Sequence, residues 1–160
     1  MTLSRKIAGA VDSLTAATEM PQVVEAEAGS ARLALNLTAR GPVGIAFDGL
    51  DFALADRADL SADALRAWGE RLAARLTYLM EPLVVLEVDA QAGEADLRSQ
   101  APTPRGELRS FYEVRLRREG SLKLRRVAFD VASRRRKSVP CQMTVEVLER
   151  LADDLVASLA

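Results

Sequence analysis

The stretch ELRSFYEVRLRREGSLKLRRVAFDVAS, residues 107–133, decides how this chain folds. Apolar and charged residues alternate on both sides of Arg118-Glu119-Gly120, which is the pattern of two half-buried strands joined by a short glycine-containing turn. That turn pairs Leu116 with Leu122 and Val114 with Leu124. Beyond Leu124 the apolar positions change from even to odd. A bulge at Arg125-Arg126, pairing Tyr112 with Val127 and Leu108 with Val131, keeps one face apolar throughout. The opposite face then carries Arg109, Phe111, Glu113, Arg115, Arg117, Lys123 and at least one of Arg125 and Arg126. Arg134 to Lys137 extend the charge.

Upstream, residues 83–89 and 94–99 form a second hairpin around Ala90 to Gly93. Its apolar register sets Leu86 against Leu97 and Val88 against Ala95, and therefore Glu87 against Asp96 and Asp89 against Glu94. Like charges directly opposite each other are destabilising, so these carboxylates call for cations or open water. Calcium and magnesium prefer oxygen ligands, but a flat strand face lacks the loop carbonyls that usually complete their sites. Arginine pairing is the expectation. The proline-marked loop 101–106 is short, and sequential strands are usually neighbours. The acidic hairpin should therefore lie beside the basic one, with its carboxylates near Arg109, Arg115 and Arg117.

Further out, Leu3, Ile7, Val11 and Leu14 mark an amphipathic helix over about 3–18, ended at Met20-Pro21. Asp12 interrupts the apolar run, so a helix is expected here rather than a signal peptide. Leu33, Leu35 and Leu37 alternate as a strand. Val43, Ile45 and Phe47 are followed by Leu50, Phe52 and Leu54, a parity switch that an Asp48-Gly49 hairpin turn explains; one long strand with a bulge there is the rival reading. Ser61 caps a middle helix over 61–80, with Leu65, Trp68, Leu72, Leu76 and Leu79 as its buried stripe and Gly69 suggesting close packing. Thr144 caps a final helix over 145–159. The sum is one α+β domain spanning 1–160: a largely antiparallel sheet of about 6–7 strands with an N-terminal, a middle and a C-terminal helix packed on it. The order of helix, strands, helix, strands, helix resembles that of dimeric secretion chaperones in element order alone. No motif carries the likeness, and the two extra strands after the middle helix depart from it.

Composition narrows the chemistry. The chain has no histidine and a single cysteine, Cys141. Histidine is the commonest general base near neutral pH, and Ser-His and Cys-His pairs need it. A zinc site needs several Cys or His ligands, and an internal disulfide needs a second cysteine. Cys141 precedes the final helix, whose N-terminus could lower its pKa, but no base stands beside it, so a small buried hydrophobe is expected. No cofactor, metal or catalytic residue is expected, and no apolar run approaches the roughly 20 residues of a membrane span. Arginine outnumbers lysine 19 to 3, and the net charge of −1 conceals +8 over residues 101–139 and −6 over 44–100.

The first expectation is a non-enzymatic, cytoplasmic binding or adaptor domain that contacts an unknown protein partner. A homodimer is expected because an open sheet must cover or pair its edges. The alternative is an anionic-ligand or nucleic-acid surface on 107–137, with Arg115, Arg117, Lys123, Arg125 and Arg126 as its contacts and Phe111 available for stacking. The slightly acidic whole weighs against nucleic acid. A second alternative is a magnesium-dependent enzyme built on Glu87, Asp89, Glu94 and Asp96.

Overall fold

The computed structural model describes residues 1–159. Its elements run α1 (Leu3–Asp12), β1 (Gln22–Ala28), β2 (Ala31–Arg40), β3 (Ile45–Leu54), α2 (Ala62–Arg75), β4 (Leu83–Asp89), β5 (Glu94–Ser99), β6 (Thr103–Arg105), β7 (Leu108–Arg117), β8 (Ser121–Asp130), β9 (Arg135–Val139), β10 (Cys141–Met143) and α3 (Val145–Leu159). The fold is α+β, with three helices on one antiparallel sheet of 10 strands. Seven strands form its main path, β1-β2-β3-β8-β7-β5-β4; β6, β9 and β10 are short additions paired to β7, β8 and β3. These three occupy the loop 101–106 and the segment around 135–143, where charge and proline hide strand pairing from periodicity.

The helices follow from their caps and stripes. Ser61 Oγ accepts the Ala64 amide at 3.1 Å to start α2, and Thr144 Oγ1 accepts the Val147 amide at 3.2 Å to start α3. Both helices end or begin near their expected places except that α2 stops at Arg75, short of residue 80. Leu76 leaves helical geometry, yet Leu76 and Leu79 remain buried, and Tyr78 donates to Asp154 of α3 at 2.7 Å. Helix α1 stops at Asp12 instead of 18. The Arg40 guanidinium collects the Val11 and Leu14 carbonyls, and Thr15 and Thr18 close a separate turn. Hydroxyls that bond nearby backbone compete with helix in this way.

Trp68 is fully buried, and its indole N–H donates to Ser158 Oγ of α3 at 2.9 Å. Gly69 lets α2 lie directly on β4 and β5: a methyl there would meet Val85 at 3.0 Å and Leu97 at 3.3 Å. One apolar cluster draws on all three helices and on the inward residues of the sheet. The other sheet face has no helix over it among the described residues. Among the described residues no helix is long and apolar enough to cross a membrane.

Two registers differ from expectation. The Asp48-Gly49 turn is not a hairpin. β3 runs through it as a single strand with a bulge, since Leu35 faces Leu50 while Leu37 faces Phe47. Gly49, at φ +76°, supplies the left-handed residue that such a bulge favours. A continuous β3 can pair β2 on one side and β8 and β10 on the other; a hairpin would give up one side. In the acidic hairpin, Glu87 faces Asp96 and Asp89 faces Glu94 as expected, but Val85, not Leu86, faces Leu97. Leu86 is the extra residue of a bulge and is 55% exposed.

Candidate functional site

The basic hairpin has the expected turn, with Leu116 facing Leu122 and Val114 facing Leu124. It has no bulge at Arg125-Arg126. Tyr112 faces Arg126, Phe111 faces Val127 and Leu108 faces Asp130. Regular pairing therefore puts Arg126 on the inner face, where it is only 6% exposed. This corrects its expected place on the outer surface. Glu81, at the end of the α2–β4 connection, makes the burial tolerable. The two side chains form a bidentate pair, Nη1 to Oε1 at 3.0 Å and Nη2 to Oε2 at 2.9 Å. Ser99 and Thr103 donate to the two carboxylate oxygens at 2.7 and 2.6 Å, and the guanidinium lies 4.4 Å from the Tyr112 ring centroid. Burial alone would raise the Glu81 carboxyl, but the hydrogen bonds from Arg126, Thr103 and Ser99 outweigh it and hold it below the usual carboxylate range. Arg126 thus ties β8 to the α2–β4 connection from inside the sheet.

The other expected contacts lie on the outer face, in rows that cross the strands. One row reads Glu87, Asp96, Arg115, Lys123, Asp51 from β4 through β3. The next contains Asp89, Glu94 and Arg117. Arg115 Nε lies 3.0 Å from Asp96 and 3.7 Å from Glu94; Arg117 lies 4.0 Å from Glu94, and Lys123 lies 3.6 Å from Asp51. The acidic and basic hairpins are thus sheet neighbours, and the charges meet in an open trough of about 760 Å³. Arg109 is not among them: it donates to the Gly106 and Leu108 carbonyls instead. Asp89 Oδ1 accepts the Gln91 and Ala92 amides in its own turn. Among the described residues no three Asp, Glu or Cys side chains converge as a metal ligand set.

The face changes character toward the far end of the hairpin. The third row is Val84, Arg98, Glu113, Arg125. Glu113 alone serves three guanidiniums: Arg125 at 2.7 Å, Arg98 at 3.7 Å, and Arg136 in close contact. Burial would raise this carboxyl, but Arg125 and Arg136 outweigh it and pull it down. Beyond it lies a row of Pro104, Arg109, Phe129 and Arg136, which has no carboxylate. Here a groove of about 780 Å³ opens between the β4 edge, at Val84 and Leu86, and the Phe111 and Phe129 rings. Arg98, Arg109 and Arg136 stand around it. Sequence patterning placed Phe111 and Arg109 on this face. It missed Leu86, because the bulge reverses its side, and Phe129, because the supposed bulge at Arg125-Arg126 shifts its parity.

Cys141 sits in β10, fully buried, and burial pushes its thiol up to about 12. It is a packed apolar side chain and is not poised as a thiolate. Comparison with known proteins finds no matching family model, no similar curated protein and no similar solved structure.

Proposed function

We propose that this chain is a non-enzymatic binding or adaptor domain, acting in the cytosol, that holds a polypeptide segment of a partner protein in the groove between Leu86 and Phe129. The observation that carries this reading is the groove itself. A bulge turns a leucine outward at 55% exposure beside two phenylalanines on a sheet face that no helix covers. An apolar patch rimmed by polar groups marks an interaction surface. Its open form suits an extended chain better than an enclosed small molecule. The residues around it offer arginines and one shared carboxylate, with no paired acid and base and no available thiolate, so binding fits better than catalysis. A single, buried cysteine needs no oxidising compartment, in keeping with a cytosolic setting. The backbone edges of β1 and β4, the outermost strands of the main path, favour a homodimer in which a second copy covers one of them. Light scattering on the purified protein would read twice 17.4 kDa for that dimer; a mass of 17.4 kDa would remove it.

The binding reading is tested by selecting from a random peptide display library on the whole chain and on Leu86→Glu. Enrichment of related peptides on the wild type, lost on the folded variant, supports it. Selection that enriches nothing over a blank surface overturns it.

A further inference from the structure

We infer that the segment this groove takes is acidic as well as apolar: an extended stretch in which leucine- or phenylalanine-type side chains and glutamate or aspartate take turns at every second residue, so that both face the sheet. The inference rests on the binding reading above and adds the chemistry of the partner. It follows from the uneven neutralisation of the outer face. In the rows through Arg115 and Arg117, each cation has a carboxylate of the same sheet within 4.0 Å. Around the groove, Arg98 and Arg136 have only Glu113, which they share with Arg125, and Arg109 has only backbone carbonyls. The surrounding segments 103–110 and 127–138 carry six Lys or Arg against Glu107 and Asp130. Asp130 Oδ1 already accepts the Ala132 and Ser133 amides. Among the described residues, Arg105, Arg109, Arg135 and Lys137 form no ion pair.

This leaves a cationic excess beside an exposed apolar patch of the outer face. Guanidiniums bind carboxylates through paired, planar donors. Phe129 stands between Arg109 and Arg136 in a single row. Side chains two residues apart in a bound strand face the same way, so apolar and acidic groups taking turns at every second residue would meet apolar sites and guanidiniums together. A single-stranded nucleic acid would bring phosphates to the same cations, but it also needs a bare ring to stack on. Phe111 offers none: it is 8% exposed, with Arg98 at 5.0 Å and Arg136 at 5.7 Å from its ring centroid. Phe129 is only partly exposed and has Arg109 and Arg136 on either side in its row, and the most exposed apolar group here is the aliphatic Leu86, which suits a side chain better than a base.

The test measures fluorescence anisotropy of labelled peptides titrated with the full chain. The probes are a peptide with leucine and glutamate in turn at every second position and serine between them, the same peptide with serine or with lysine for glutamate, and an oligothymidylate of matched length. The acidic peptide should bind, weaken as salt rises, and lose about tenfold or more in affinity on Arg109→Glu or Leu86→Glu. The lysine peptide should not bind. Arg109→Gln, which introduces no new charge, should weaken the acidic peptide in the same direction and guards against a misfolded charge reversal. Equal binding of all three peptides, lost on Leu86→Glu, would overturn the acidic class and leave the polypeptide reading standing. Binding of none would overturn the acidic class and leave the polypeptide reading to the library selection above. Tighter binding of the oligothymidylate than of the acidic peptide would assign the cations to phosphate and overturn the inference.

Discussion

Arg125 and Arg126 are chain neighbours on β8 that face opposite sides of the sheet, and each reaches a glutamate. Arg125 meets Glu113 at 2.7 Å on the open face with half its side chain in water. Arg126 meets Glu81 at 2.9 Å with 7% of its side chain exposed. The contacts are alike and the surroundings are not. On the outer face, water screens Arg125, and Arg98 and Arg136 also serve Glu113, so Arg125 could be lost at small cost. On the inner face both charges have left water, so the pair is tolerable only while every oxygen and N–H is matched. The same residue types thus clamp the fold on one side and stay in contact with water on the other.

The largest effect should come from breaking the inner pair on one side only. Arg126→Met leaves the Glu81 carboxylate buried with two hydroxyl donors, and should cost about 3–5 kcal/mol in denaturant unfolding. Removing both charges with Glu81→Leu and Arg126→Met together should recover much of that loss, because apolar replacements of a buried pair are often neutral or better. A single variant that unfolds within about 0.5 kcal/mol of wild type, the range of surface changes, would show that Arg126 reaches water.

Acid sharpens the same contrast. The Glu81 carboxyl, held below its ordinary value, binds fewer protons in the folded state than in the unfolded chain. Its contribution is therefore present above the unfolded pKa and is lost as pH falls through the folded one. Glu113 is depressed too and adds in the same direction. Wild-type stability should fall on acidification below about pH 4.5, the carboxylate range. In Arg126→Met the sign at Glu81 should reverse, since burial without the guanidinium raises its pKa. That group's contribution is then full below the unfolded pKa and lost as pH rises through the folded one. Melts at stepped pH on the two proteins decide this: parallel profiles would refute a role for the pair.

What the sequence allowed to be read was local. The turn at Arg118-Glu119-Gly120, the Ser61 and Thr144 caps, the buried face of α2 and the pairing of the acidic and basic hairpins all follow from spacing and alternation. What it hid depended on a distant partner. The parity change after Leu124 looked like a fault needing a bulge, because nothing nearby says that a buried arginine is affordable there. Glu81, 45 residues away, supplies the reason. The Asp48-Gly49 step looked like a turn because local geometry cannot show that β2 and β8 wait on either side of β3. The groove was half legible for the same reason. Phe111 and Arg109 fall on the outer face by alternation, whereas Leu86 reaches it only through a bulge and Phe129 only through the regular register that Arg126 permits.

The smallest effect belongs to the outer rows, and it tests whether they are as dispensable as exposure implies. Arg115 and Asp96 face each other across β7 and β5 at 3.0 Å, with side chains 51% and 39% exposed. The hydrogen bond to Asp96, followed by its charge, raises the Arg115 pKa, but a group this exposed is screened and converts to little stability. A double-mutant cycle on Arg115→Ala and Asp96→Ala should give a coupling of roughly 0.2–1 kcal/mol. The coupling should shrink as salt is raised, because screening acts most on charges in contact with water. Glu94, 3.7 Å from Arg115, keeps the arginine partly compensated when Asp96 is removed, which holds the value toward the low end. A coupling above about 2 kcal/mol that ignores salt would be the behaviour of a buried pair. It would mean that something covers this part of the face in solution, which would move the recognition surface from the groove at Leu86 to the rows of Arg115 and Arg117.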